Sequence, residues 1–140
     1  MFSLNQYREL LNQLISSDLI PTTDWRTKSS HDTLLLRHDV DFSVDFARKL
    51  AAVEFDMGIY STYFFMLTCN MYNLMSYEHQ RLVKDIAEMG HKISIHFDPT
   101  VYDELEKFEN EKKLFESIFE VEVDLRLIRG CNPCLKVTPR

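Results

Sequence analysis

The apolar positions of this chain switch repeatedly between helical and strand-like spacing. Leu4, Tyr7, Leu10, Leu11, Leu14 and Ile15 recur at three- and four-residue intervals behind Ser3, which predicts a capped amphipathic helix over Ser3 to Ser17. A polar, turn-rich stretch, "PTTDWRTKSSHD", gives way to "TLLLRHD", a nearly unbroken apolar run of the kind a strand buried on both faces shows. After Asp41, the residues Val44, Ala47, Leu50, Ala51 and Val53 share a helical face, with Ser43 in capping position and Gly58 as terminator. "IYSTYFFM" is dense in β-branched and aromatic residues and predicts a second strand. A helix follows from Ser76 to Gly90, with Leu82, Val83, Ile86 and Met89 on its apolar side. "HKISIHFD" alternates as a third strand. "TVYDELEKFENEKKLFESIFE" predicts a long charged helix with a stripe at Leu105, Phe108, Leu114, Phe115 and Ile118, and "VEVDLRLI" predicts a fourth strand.

Strand and helix thus alternate about four times, the signature of an α/β architecture with parallel strands, as either an open sheet or a barrel. In both, chemistry gathers at the carboxyl ends of the strands, and Asp39, Asp41, His96 and Asp98 fall there.

Composition narrows the class. At 140 residues with 45% hydrophobic side chains the chain suits one domain, and a net charge of −6 argues against a nucleic-acid partner, which a basic stripe would mark. No apolar run is long enough to span a bilayer, and the polar N-terminus is unlike a signal peptide, so no membrane partner and a cytoplasmic location are expected. Three cysteines, an odd number, make no disulfide framework. Cys131 and Cys134 have Cys-x-x-Cys spacing, but without a second pair they read as an accident of an irregular tail, and Cys69 reads as a small buried hydrophobe.

Residues two apart in a strand share a face, so Asp39 can pair with Asp41 and His96 with Asp98, and the two pairs can converge from parallel strands. Carboxylate and imidazole together suit a divalent metal such as zinc, with a spare carboxylate as base. The alternative is that the acids cap the helices that follow. Arg37 shares the face of Asp39 and can pair with it, while His38 points the other way and reads as packing or as a support behind the ligands more than as a ligand. His31 and His79 are expected in solvent.

Together "LLLRHDVDFS", "YSTYFFM" and "EMGHKISIHFD" resemble, in order and spacing, the NodB-homology polysaccharide deacetylase family, in the subgroup whose first motif reads His-Asp-Val-Asp. The resemblance covers about Thr33 to Pro99. It implies a partial (β/α) barrel of the TIM-like deacetylase type, a hydrolase of carbohydrate metabolism that removes acetyl groups from an amino sugar or polysaccharide. It implies a divalent metal, zinc with cobalt or nickel as substitutes, held by Asp41 and His96, and Asp39 as the catalytic base. The position of the family's second histidine holds Thr100, His91 sits at the wrong end of its strand, and Asp98 is the geometric substitute. The tail over 124–140 is atypical of the family, and the later strands are missing, so 1–140 is expected to be a truncated deacetylase-like domain with its motif region over 33–99. Uncovered sheet edges would favour self-association. The competing expectation is a catalytically inactive remnant or interaction module that keeps the first half of the fold.

Overall fold

Ser3 opens the first helix by satisfying backbone donors that the helix itself cannot. In the computed structural model, which describes residues 3–25, 32–97 and 105–123, α1 runs Leu4–Ile15. Ser3 Oγ accepts from Gln6 N while the Gln6 side chain accepts from Ser3 N, a reciprocal capping box. Ser43 and Ser76 cap α2 (Val44–Asp56) and α3 (Tyr77–Glu88), accepting from Phe46 N and His79 N. Just past these helices the chain turns at glycines with positive φ, Gly58 at +69° and Gly90 at +93°. The helix expected from the charged stretch is α4, Leu105–Phe119. Its buried stripe is Phe108, Glu111, Phe115 and Phe119, and Leu114, expected on that stripe, is 47% exposed.

The run "TLLLRHD" is two strands instead of one. β1 (Ile20–Pro21) pairs in parallel with β2 (Thr33–Leu34), while β3 (Arg37–Val40) pairs with β4 (Thr62–Phe65), which pairs with β5 (Lys92–Ile95). Leu35 and Leu36 lie between, where the chain leaves one partner for the other, and Leu36 O accepts from Thr62 N at 3.0 Å to start the new ladder. Nor is this run buried on both faces. β3 is an outer strand of the order β3-β4-β5, so Asp39 is exposed and Arg37 and His38 half-buried, and the strand buried throughout is β4. Val121 to Val123, the start of the fourth expected strand, carry no strand pairing, and the rest of that stretch lies outside the described residues.

Alternation divides the three-stranded sheet into two faces. Val40, Tyr63, Phe65, Ile93 and Ile95 join Val44, Ala47 and Ala51 of α2 and Val83 and Ile86 of α3 in one core, so both crossover helices cover the same face. The larger apolar side chains among them contribute up to roughly 1.5–3 kcal/mol each. The other face carries Arg37, Asp39, Thr62, Phe64, Lys92 and Ser94. α1 docks through Tyr7 and Leu11 against Val53 and Ile59 in a second, smaller core. The parallel α/β class holds. Among the described residues the strands form two small sheets and no closed barrel, and no helix is long and apolar enough to cross a membrane.

Candidate metal centre

Register decides which acids can meet. Asp39 stands opposite Phe64, which stands opposite Ser94. Two residues further along, past the ends of β3 and β5, come Asp41 and His96 on the same face, and His96 N extends the ladder by donating to Phe65 O at 2.7 Å. Their side chains close the two-strand gap: His96 Nδ1 lies 3.1 Å from Asp41 Oδ1. Both atoms are buried, and neither has a hydrogen-bond partner, so they approach each other without bonding.

That combination tests the fit of a divalent metal. Two buried polar atoms without hydrogen-bond partners normally cost a kilocalorie or more each. Two ligands about 2.0–2.1 Å from one tetrahedral zinc ion stand roughly 3.3–3.4 Å apart. Nitrogen and carboxylate oxygen at 3.1 Å, both otherwise unsatisfied, fit as two members of such a shell. Among the described residues no group of three His, Cys, Asp or Glu side chains is gathered for a metal. The third candidate, Asp98, lies outside the described residues, as do Thr100, His31, Cys131 and Cys134.

Asp39 is not drawn into this pair. Arg37 Nε donates to Asp39 Oδ1 at 2.7 Å, and the guanidinium sits 3.9 Å above the Phe64 ring, so the expected pairing on that face is present. The capping alternative fails for both acids at α2, because the cap is Ser43. Asp39 and Asp41 both border a cavity of about 450 Å³ along β3 and α2, with Phe42 and Phe46 on its rim. Phe42 is 72% exposed.

The loop after β4 fixes Asp41 from behind. Tyr72 Oη donates to Val40 O at 2.6 Å and accepts from Met66 N at 2.9 Å, stitching the ends of β3 and β4 together, and burial pushes its hydroxyl above the usual range. Cys69, half-buried, donates its thiol to Asp41 O at 3.6 Å. Neither role shows in the sequence, since a loop has no periodicity to betray which side chains turn inward.

On the opposite face His38 packs as expected, but against a group that sequence reading missed. Its Nε2 lies 2.6 Å from Glu54 Oε1 and its ring stacks on Tyr63 at 4.6 Å. Glu54 is fully buried, and it also accepts from Tyr7 Oη and, at 2.7 Å, from Tyr63 Oη. Burial alone would raise its carboxyl, but the hydrogen bond and charge of His38 and the two hydroxyls outweigh it and hold the group below its ordinary 4.5. Burial and this carboxylate push both tyrosine hydroxyls up. Glu54 continues the spacing Val44, Ala47, Ala51, and an acid on an apolar stripe was the available signal.

His91 stays at the far end of β5, as its position implies. Nε2 lies 3.0 Å from Ala51 O and Nδ1 accepts from Ser61 N at 3.1 Å, so the ring is neutral and its 3.7 Å approach to Glu54 is no ion pair. Burial lowers its affinity for a proton further. His79, expected in solvent, is half-buried, with Nδ1 2.8 Å from Asn73 O. Comparison of the chain with protein-family models, with curated proteins and with solved structures finds no match in any of the three.

Proposed function

We propose that this chain is a metal-dependent deacetylase-like hydrolase, built as part of a (β/α) barrel, that removes acetyl groups from an amino sugar or polysaccharide. One observation carries the reading: Asp41 Oδ1 and His96 Nδ1, buried and otherwise unpartnered, meet 3.1 Å apart at the carboxyl ends of parallel strands, beside an acid that another pair leaves out of the meeting. The order of the motifs carrying Asp39, Asp41 and His96 supports the family assignment, and the sequential order β3-β4-β5 with α2 and α3 on one face is the arrangement an arc of such a barrel would have.

Asp41 and His96 would hold the metal, zinc or in its place cobalt or nickel. When bound, the metal supplies Lewis acidity at the acetyl carbonyl. The chain's own residues do the rest. Asp39 accepts the proton of the attacking water at a carboxylate oxygen and returns it to the amine nitrogen as the C–N bond breaks, with Arg37 holding that carboxylate in place. Phe42 offers an exposed apolar wall to the sugar ring beside the acids.

A second reading, an interaction module without catalysis, draws on the open side of β3. Among the described residues that edge has no strand neighbour, and Phe42 and Phe46 stand exposed beside it, so another copy could pair there. Metal analysis of the purified chain, with acetate release from acetylated amino sugars, separates the two. Stoichiometric zinc lost in Asp41→Asn and His96→Ala, with acetate release abolished in Asp39→Asn, supports the hydrolase. A chain that binds no zinc, releases no acetate and elutes as a dimer supports the module.

A further inference from the structure

The buried carboxylate behind the site takes no part in the chemistry proposed above, yet it is bonded to the strand that carries it. Among the described residues β3 is an outer strand held by one ladder, and an outer strand frays more readily than a central one. It leads through the short turn Asp41 to Ser43 into α2, so the direction of Asp41 depends on the angle between β3 and α2. Glu54 lies near the far end of α2 and His38 lies within β3, and their 2.6 Å contact straps the two elements together at the end opposite the turn. The unit of strand, turn and helix is then closed at both ends. Stacking of His38 on Tyr63 fixes the roll of β3 about its own axis, and since successive side chains alternate, holding His38 on one face holds Asp39 on the other.

We infer that Glu54, acting through His38, is a positioning residue that sets where Asp39 and Asp41 point. This rests on the reading of Asp39, Asp41 and His96 as the acting groups. Apolar replacement of a buried carboxylate together with its partners is often no less stable, so stability alone is a weak reason for a fully buried carboxylate with three hydrogen-bond partners. A role in orientation accounts for where it stands.

The test compares wild type with Glu54→Gln, which keeps the size and an acceptor oxygen, and His38→Phe, which keeps the stack on Tyr63 and removes the bond. Three quantities are read on the full chain: thermal stability, zinc affinity by competition with a chelator, and the ring resonances of His96 in metal-free protein. The expected result is that both variants fold, bind zinc about tenfold more weakly, and show shifted His96 ring signals although neither substitution touches that residue. A lowered melting temperature with zinc affinity within about twofold and His96 signals unmoved overturns the inference and leaves Glu54 structural. If the wild type binds no zinc, the deacetylase reading falls, and the His96 ring still decides: a shift in the variants upholds the positioning role, and none rejects it. Should Glu54→Gln fail to fold, His38→Phe alone carries the same readouts.

Discussion

His96 Nδ1 and Asp41 Oδ1 lie 3.1 Å apart, both buried, and do not hydrogen-bond. Two polar atoms left in this state weaken the fold, and a cation that took both would relieve them. Zinc is therefore expected to stabilise the chain. At a hundred times its dissociation constant a ligand bound only by the folded state adds about 2.7 kcal/mol, which for a chain of this size raises the melting temperature by roughly 8 °C. Thermal unfolding with and without zinc measures this. The rise should vanish in Asp41→Asn and in His96→Ala, and a rise of the same size in either variant would place the ion elsewhere.

Asp39 is paired with Arg37 and stands apart from the meeting of Asp41 and His96, so the two roles should separate by mutation. Asp39→Asn keeps the shape of the side chain and removes the proposed base. Its kcat should fall by about 10²–10⁴ while zinc affinity stays at the wild-type level. Steady-state acetate release and chelator competition on the same preparation check the split, and parallel losses in both would mean that Asp39 is itself a ligand.

Much of this site was legible because strands have a strict period of two. Asp39 and Asp41, then His96 opposite, follow from alternation and from parallel register, and the caps Ser3, Ser43 and Ser76 announce their helices by residue type. The run "TLLLRHD" misled because an apolar stretch does not reveal which neighbours it will have. Thr33 and Leu34 pair with β1, Arg37 to Val40 pair with β4, and the outer position of β3 leaves it half-covered. Leu114 misled for a related reason. Glu111 takes the inward place on α4, where it accepts from Thr68 Oγ1 at 3.0 Å, and Leu114 is rotated to the surface. Tyr72 was beyond reach, since its two bonds to Val40 O and Met66 N depend on a loop conformation.

The polar cluster behind β3 predicts how stability follows pH. Glu54 is held below its ordinary 4.5 in the folded chain, so its stabilising share is complete above that value and is lost as pH falls through the folded value. His91 is held below its ordinary 6.5, so the unfolded chain takes up protons first, and stability drops as pH falls from about 6.5 toward the folded value. Two successive losses on acidification are thus expected in urea unfolding followed from pH 7.5 to 3.5. His91→Gln should flatten the upper one and Glu54→Gln the lower, and a profile unchanged by both would remove these groups from the account. At neutral pH, Tyr7→Phe deletes one donor to the buried carboxylate and should cost about 1.5–3 kcal/mol, the range for a hydrogen bond to a charged group.

Phe42 follows directly after Asp41 and is 72% exposed, on the rim of a cavity of about 450 Å³ that also reaches Asp39. Ligand sites commonly measure about 300–1,000 Å³, and a pyranose offers an apolar face to stack on the ring and polar edges to turn toward the acids. An aromatic contact of this kind is worth about 0.5–1.5 kcal/mol beyond buried area. Phe42→Ala should therefore raise KM about three- to tenfold and leave kcat nearly unchanged, because the contact is made equally in the bound and reacting states. Phe42→Trp should keep the wild-type KM. Both are measured by acetate release across a range of acetylated oligosaccharide concentrations. Unchanged KM in Phe42→Ala would remove Phe42 from the proposed sugar contact.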